Sequence, residues 1–356
     1  METLDYLKLM AEKDASDLFC SVGTPVHMKI GGVTSPVDAA ALVPGSTKAM
    51  AYSLMSESQI REFEMTREMN LAISISEMGR FRINVYLQRT EVAMAVRFIK
   101  SEIPSIGFLG LPGVIEDLVM ERRGLILVVG ASGSGKSTTL AAMIHHRNEN
   151  EAGHILCIED PIEFLHRHEK SVVDQREVGI DTDSFDAALK NAMREAPDVI
   201  MIGEILDRQT MQHAITYSET GHLCLSTLHS NNANQAIDRI LNFFPESARG
   251  QLLFDLSLNL KAVISQRLIT GTEKKRVPAV EIMLNTPYIA ELIRRGNMAE
   301  MKAVMAKSTD PGVCTFDQSL FDLYSTEKIS LTEALRNADS ATDLKLRIRL
   351  AQSQGA

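Results

Sequence analysis

Apolar residues recur along this chain with two different periods. In the first hundred residues, Ser56-Glu57-Ser58-Gln59 forms a helix-entry box, with Met55 and Ile60 placed as its hydrophobic staple. A short helix should follow, carrying Phe63 on the face of Ile60. Leu71, Ile73 and Ile75 then alternate with Ala72, Ser74 and Ser76, which is a strand period. Met78-Gly79 reads as a turn. Phe81, Ile83 and Val85 alternate with Arg80, Arg82 and Asn84, and Val92, Met94, Val96 and Phe98 share a face opposite Arg97. Successive strands with short connections predict an antiparallel sheet whose second face carries Arg80, Arg82 and Arg97.

From about Gly124 onward the pattern changes. Lys100–Pro112 holds two prolines and two glycines and reads as a linker and domain entry. Strands Leu125–Val129, Ile155–Glu159 and Val199–Ile202 then alternate with a helix from Ser137 and another over Ser184–Glu195. The second helix places Phe185, Ala188, Leu189, Ala192 and Met193 on one stripe, and Pro197 stops it. Such alternation predicts a largely parallel sheet with helices on both faces. After Pro287 the chain reads as helical, with a second box at Ser330-Leu331-Thr332-Glu333 and a polar, frayed end over Gln352–Ala356.

Composition narrows the function classes. The 356 residues suggest two domains, and 45% apolar content supplies their cores. A net charge of -9, no Trp and 5% aromatics disfavour a nucleic-acid-coating or base-stacking surface. No apolar run reaches the roughly 20 residues of a membrane span, and the Met-Glu-Thr-Leu-Asp start lacks an export signal. Cys20, Cys157, Cys224 and Cys314 stand far apart, a pattern of reduced thiols in a cytosol rather than a zinc site.

Gly130-Ala131-Ser132-Gly133-Ser134-Gly135-Lys136-Ser137, followed by Thr138, fits the phosphate loop G-x-x-x-x-G-K-[ST] between a strand and a helix. Glycines let backbone N–H groups form a nest for phosphate oxygens, and the helix start adds partial positive charge. Lys136 should reach the β- and γ-phosphates of ATP, and the Ser137 hydroxyl should hold Mg²⁺. Two acidic clusters follow strands, Glu159-Asp160-Pro161-Ile162-Glu163 and Gly203-Glu204, where a doubly wound sheet puts ligands. Each reads equally as site carboxylates or as solvated loop. His222 and His229 flank Leu223-Cys224-Leu225 and stand open between a phosphate or subunit seam and ordinary structural histidines. Arg80, Arg82 and Arg97 stand open between surface contacts and arginine fingers given to a neighbouring subunit.

Taken in order, the phosphate loop, Ile158-Glu159-Asp160-Pro161-Ile162-Glu163-Phe164, Pro197-Asp198-Val199-Ile200-Met201-Ile202-Gly203-Glu204, and Glu219-Thr220-Gly221-His222 to Ser226-Thr227-Leu228-His229 resemble the four boxes of the secretion-type ATPases. Gly79-Arg80-Phe81-Arg82 and Ser16-Asp17-Leu18-Phe19 extend the likeness into the first domain. Within the family the chain is similar to the type IV pilus retraction ATPases, and Gln175–Phe185 and Thr315-Phe316-Asp317-Gln318 resemble their accessory subtype. The resemblance implies an α/β chain: a PAS-like α+β domain over 1–100, a linker at 101–112, a RecA-like core over 113–290 and a helical region over 291–356. It implies a homo-hexameric, cytoplasmic ATP motor that works beside a paralogous retraction ATPase. Such a motor docks on an inner-membrane pilus platform protein without a membrane anchor of its own. It implies that Glu163 activates water, that Glu204 acts at the metal, and that His222 and His229 couple nucleotide state to the subunit interface. Arg80, Arg82 and Arg97 match family arginines that engage phosphate.

Three departures bear on that transfer. Leu206 stands where the family usually has arginine, Ser218 where alanine is usual, and Tyr288-Ile289-Ala290 follows Asn285-Thr286-Pro287 in place of an Ala-Ile-Arg-Asn motif. The missing charge and motif keep open a second reading, a nucleotide-binding adaptor with little turnover. The nearest rival is an assembly ATPase of the same fold; the cysteine spacing excludes the four-cysteine zinc insertion such enzymes usually carry, and the chain is short for their extra N-terminal region.

Overall fold

A computed structural model describes residues 2–75, 78–99 and 102–354, with the side chain of residue 354 set aside. The expectations on Ser76, Lys100, Gly355 and Ala356 lie outside the described residues. The chain forms two compact units. The first runs to Ile103 and includes Ile162–Arg167 and Gly179–Asp181; the second comprises Pro104–Pro161, His168–Val178 and the chain from Thr182.

The first unit is built on β1 (Asp17–Cys20), β2 (His27–Ile30), β3 (Val33–Pro36), β4 (Glu68–Ile75), β5 (Gly79–Gln88) and β6 (Glu91–Ile99), in the order β3-β2-β1-β6-β5-β4. All its pairings are antiparallel, as the alternation predicts. Register puts Arg82 opposite Arg97, with Arg80 two residues along the same strand, so the three arginines share a face. The other face packs Phe81, Ile83 and Val85 against helix Thr3–Glu12 and Phe63. Helix Glu57–Thr66 starts at Ser56, whose hydroxyl accepts Gln59 N–H while Gln59 returns to Ser56 N–H.

The second unit holds β7 (Gly124–Val129), β8 (His154–Glu159), β9 (Val172–Glu177), β10 (Val199–Ile202), β11 (Leu223–Leu228), β12 (Leu260–Thr270) and β13 (Arg276–Leu284). Their order is β13-β12-β7-β11-β10-β8-β9; every pairing is parallel except β12 with β13. Two apolar cores cover the two faces. Leu125, Leu127 and Leu156 point into one, while Ile126, Val128 and Ile155 point into the other. A strand buried on both faces reads as a continuous apolar run, which is why Leu125–Val129 shows no alternation.

Some details depart from the sequence reading. The helix after Ser184 ends at Ala192, and Met193 is 45% exposed rather than on the buried stripe. Ser330 caps Glu333 N–H, but the reciprocal half of that box is not made; Glu333 meets Asn337 and Arg336 instead. A full box forms at Thr315 and Gln318. The last helix continues to Gln354, where a frayed end was expected from Gln352. The hairpin β12–β13, strand β9 and the three short strands β1–β3 were not anticipated.

Leu156→Ala should cost about 2–5 kcal/mol, because the fully buried side chain leaves a cavity between sheet and helices. Leu258→Ala, at a 64% exposed site, should cost under about 0.5 kcal/mol. Calorimetric unfolding of the two variants beside the parent checks the contrast.

Candidate functional site

Parallel pairing delivers β7, β11, β10 and β8 to one edge of the sheet. Val129 pairs with Leu228, and Ile202 with both Ser226 and Ile158. The residues that follow each strand are therefore neighbours: Gly130, His229, Gly203-Glu204 and Asp160. Sequence-remote boxes become adjacent because of strand order.

The phosphate loop leaves β7 with Gly133 at φ 72° and Gly135 at φ 91°, backbone that favours glycine. Gly135 is the N-cap of helix Lys136–Asn150. Gly130 is required by space instead. A Cβ there would lie 2.6 Å from the Gln266 carbonyl oxygen and against the Ser134 hydroxyl. Gly203 is also tight, with a Cβ position 3.3 Å from both Glu159 Cα and the Ile158 carbonyl oxygen. Ser134 is buried, and its hydroxyl has no hydrogen-bond partner among the described residues. It is a donor that fits a phosphate oxygen.

Lys136 is 8% exposed. Its Nζ donates to the Gly130 carbonyl at 3.0 Å and the Ala131 carbonyl at 3.1 Å, and lies 3.4 Å from His229 Nδ1. His229 Nε2 lies 3.0 Å from Glu204 Oε1. An ammonium only donates, so Nδ1 can serve Lys136 only as an acceptor. His229 thus lies between the loop lysine and the carboxylate after β10, whose Oε1 is buried without a hydrogen-bond partner among the described residues. The two segments are tied further by Thr227 Oγ1 donating to the Gly203 carbonyl at 2.6 Å and Ser226 Oγ to the Ile202 carbonyl at 2.7 Å.

His222 is not part of this cluster. It precedes β11, whereas His229 follows it. Seven steps of about 3.3 Å separate the two by roughly 23 Å. His222 Nδ1 sits 3.1 Å from Thr220 Oγ1 and 3.2 Å from the Tyr217 carbonyl oxygen. Glu163 is exposed and belongs, with Ile162–Arg167, to the first unit. Arg80, Arg82 and Arg97 are in that unit too. Arg97 pairs with Asp17 at 2.9 Å, and Arg80 lies 3.9 Å from Asp181.

Sequence reasoning missed two buried polar side chains beside the loop. Glu281, 2% exposed, accepts the Ala233 N–H at 3.0 Å and so pins the helix that starts shortly after His229. Burial raises its carboxyl above the ordinary value, opposed by that N–H. Gln266, 4% exposed, accepts from Thr139 Oγ1 at 2.7 Å. For Glu281 the available signal was a carboxylate between Val280 and Ile282; Gln266, between Ser265 and Arg267, gave none.

The Type II/IV secretion system protein family matches residues 28–316, and the chain belongs to that family. The chain is 50% identical over 357 residues to the type IV pilus ATPase PilU of Pseudomonas aeruginosa, covering 100% of this chain and 94% of that protein. The retraction ATPase PilT of the same organism is 38% identical over 338 residues, covering 95% and 98%. The crystal structure of the pilus retraction motor PilT with bound ADP superposes with a TM-score of 0.89 at 39% identity, covering 97% of this chain and 99% of that one. The chain is accordingly a P-loop ATPase of the type IV pilus machinery, with a PAS-like N-terminal unit and a RecA-like unit bearing a helical C-terminus.

Gly130→Ala should lower ADP affinity about tenfold or more, since the new methyl forces the nest apart while the sheet survives. Titration calorimetry, with circular dichroism to confirm the fold, measures this.

Proposed function

We propose that this member of the Type II/IV secretion system protein family is a hexameric motor whose ATP hydrolysis powers pilus retraction and twitching motility. It works alongside a paralogous retraction ATPase and docks on an inner-membrane platform protein from the cytoplasmic side. The observation that carries this reading is full-length kinship to pilus ATPases, combined with an intact Lys136–His229–Glu204 cluster. Among the described residues no helix is long and apolar enough to cross a membrane, which fits docking through a partner.

The proposed roles follow from chemistry. Backbone N–H groups of residues 130–138 cradle the phosphates, and Lys136 exchanges its two carbonyl partners for phosphate oxygens. Ser137 and Glu204 are hard oxygen donors, and no cluster of three or more His, Cys, Asp or Glu suited to a metal occurs among the described residues. That donor set fits Mg²⁺, which is held by few protein ligands together with substrate phosphate. The metal would neutralise charge on the transferring phosphoryl group. Glu163 is the proposed base for water. Arg80, Arg82 and Arg97 are the proposed phosphate-engaging arginines, two of which would first release Asp181 and Asp17. His222 is the proposed contact to a neighbouring subunit.

Leu206 favours a second reading. It is 54% exposed, two residues beyond Glu204, where the family usually carries arginine. A chain that binds nucleotide and lends docking or force to a partner ring, with little turnover of its own, would tolerate that change.

Phosphate release by the purified protein beside Glu163→Gln separates the two. The motor reading expects turnover in the parent and a loss of about 10²–10⁴-fold in the variant, with ADP binding retained. Binding without turnover in the parent would favour the adaptor, and Leu206→Arg should then raise turnover. In cells, deletion should abolish twitching and leave excess surface pili. Unchanged motility and pilus length would sink the retraction reading.

A further inference from the structure

We propose that Gln266 is a positioning residue for the phosphate loop, setting nucleotide affinity through the loop's shape. β12 runs parallel beside β7, with Ile264 level with Val128 and Ser265 level with Val129. Gln266 therefore stands level with Gly130, where the loop begins. Its carbonyl oxygen lies 2.6 Å from the position a Cβ on Gly130 would take, and its Nε2 lies 2.8 Å from the corresponding position on Gly135. One residue thus bounds the first glycine of the nest with its backbone and the last with its side chain.

The amide is also oriented. Thr139 is fully buried one turn into the helix that leaves the loop, and its hydroxyl donates to Gln266 Oε1 at 2.7 Å. That bond fixes Oε1 toward the helix and turns Nε2 toward Gly135. Along the strand Val263, Ile264 and Ile269 are buried and apolar, while the adjoining Ser265 is buried and polar. Burying an amide here is costly unless its hydrogen bonds are made, whereas methionine would fill the same volume without that cost. The amide faces the loop. Strand β12, loop and helix are held in one register by Gln266, so the N–H groups of the nest stay aimed at a single point.

Steady-state ATP turnover and equilibrium ADP binding of the full-length protein test this, using Gln266→Met, Thr139→Val, Thr139→Ser and the double variant. Gln266→Met and Thr139→Val should each raise KM and the ADP Kd about tenfold, the scale of a lost buried hydrogen bond, with kcat changed by less than about twofold. Thr139→Ser, which keeps the hydroxyl, should stay near the parent. The double variant should be no weaker than the worse single one, because both break one interaction. Unchanged KM and Kd with only a lower melting temperature would overturn the proposal, as would fully additive losses. If Gln266→Met does not fold, the Thr139→Val and Thr139→Ser pair decides the question by the same readouts.

Discussion

A buried cation organises the nucleotide end of this protein. Lys136 is almost removed from solvent, and an ammonium there is tolerable only if hydrogen-bonded. The loop itself provides that by curling two of its own carbonyls, those of Gly130 and Ala131, onto Nζ. The curl in turn requires left-handed backbone at Gly133 and Gly135 and bare space at Gly130. It further requires that β12 lie close beside β7. The same carbonyls that hold the lysine are weaker partners than charged phosphate oxygens, so nucleotide can draw Nζ away from them without stranding a bare charge.

The rest of the second unit brings other groups to that cation. A parallel sheet has one edge where all strands end, and the order β12-β7-β11-β10-β8 decides which chain segments meet there. His229 meets Lys136 because β11 is inserted next to β7, and Glu204 meets His229 because β10 lies next to β11. Small contacts set the spacing. Thr227 and Ser226 stitch β11 to the end of β10, and Gly203 lets that end pass close over β8. Buried Glu281, on β13, anchors the first residue of the helix beyond His229. The histidine is thus held from both ends of its loop.

What the chain disclosed in advance follows from how local each signal is. The phosphate loop, the Ser56 box and the alternation in β4 to β6 are contained within a few residues, and each stands in the structure as read. The Ser330 box shows the limit: the residues match, but the Glu333 carboxylate turns toward Asn337 and Arg336 instead of the Ser330 N–H. Strands β1 to β3 are four residues each, too short for a period to declare itself. In β12, Lys261 and Ser265-Gln266-Arg267 interrupt the apolar positions, and a strand buried over consecutive residues shows no alternation. Gln266 and Glu281 could not be assigned to the site for a different reason. Their partners, Thr139 and Ala233, lie 127 and 48 residues away, and only the fold brings them together.

The departures from the family pattern sort by place. Ser218 is buried in its helix, its hydroxyl donating to the Ala214 carbonyl at 2.8 Å, so the extra oxygen is satisfied locally and the helix accepts it. Leu206 is different, because it is exposed and lies just past Glu204 without entering the Lys136–His229–Glu204 cluster. An arginine at such a site would add charge toward the surroundings and leave the phosphate nest unchanged. The contacts of Lys136 with the loop carbonyls and His229, and of His229 with Glu204, stand without it. The proposed motor and the proposed adaptor therefore share one nucleotide nest, and the parent's own turnover, not its affinity, divides them.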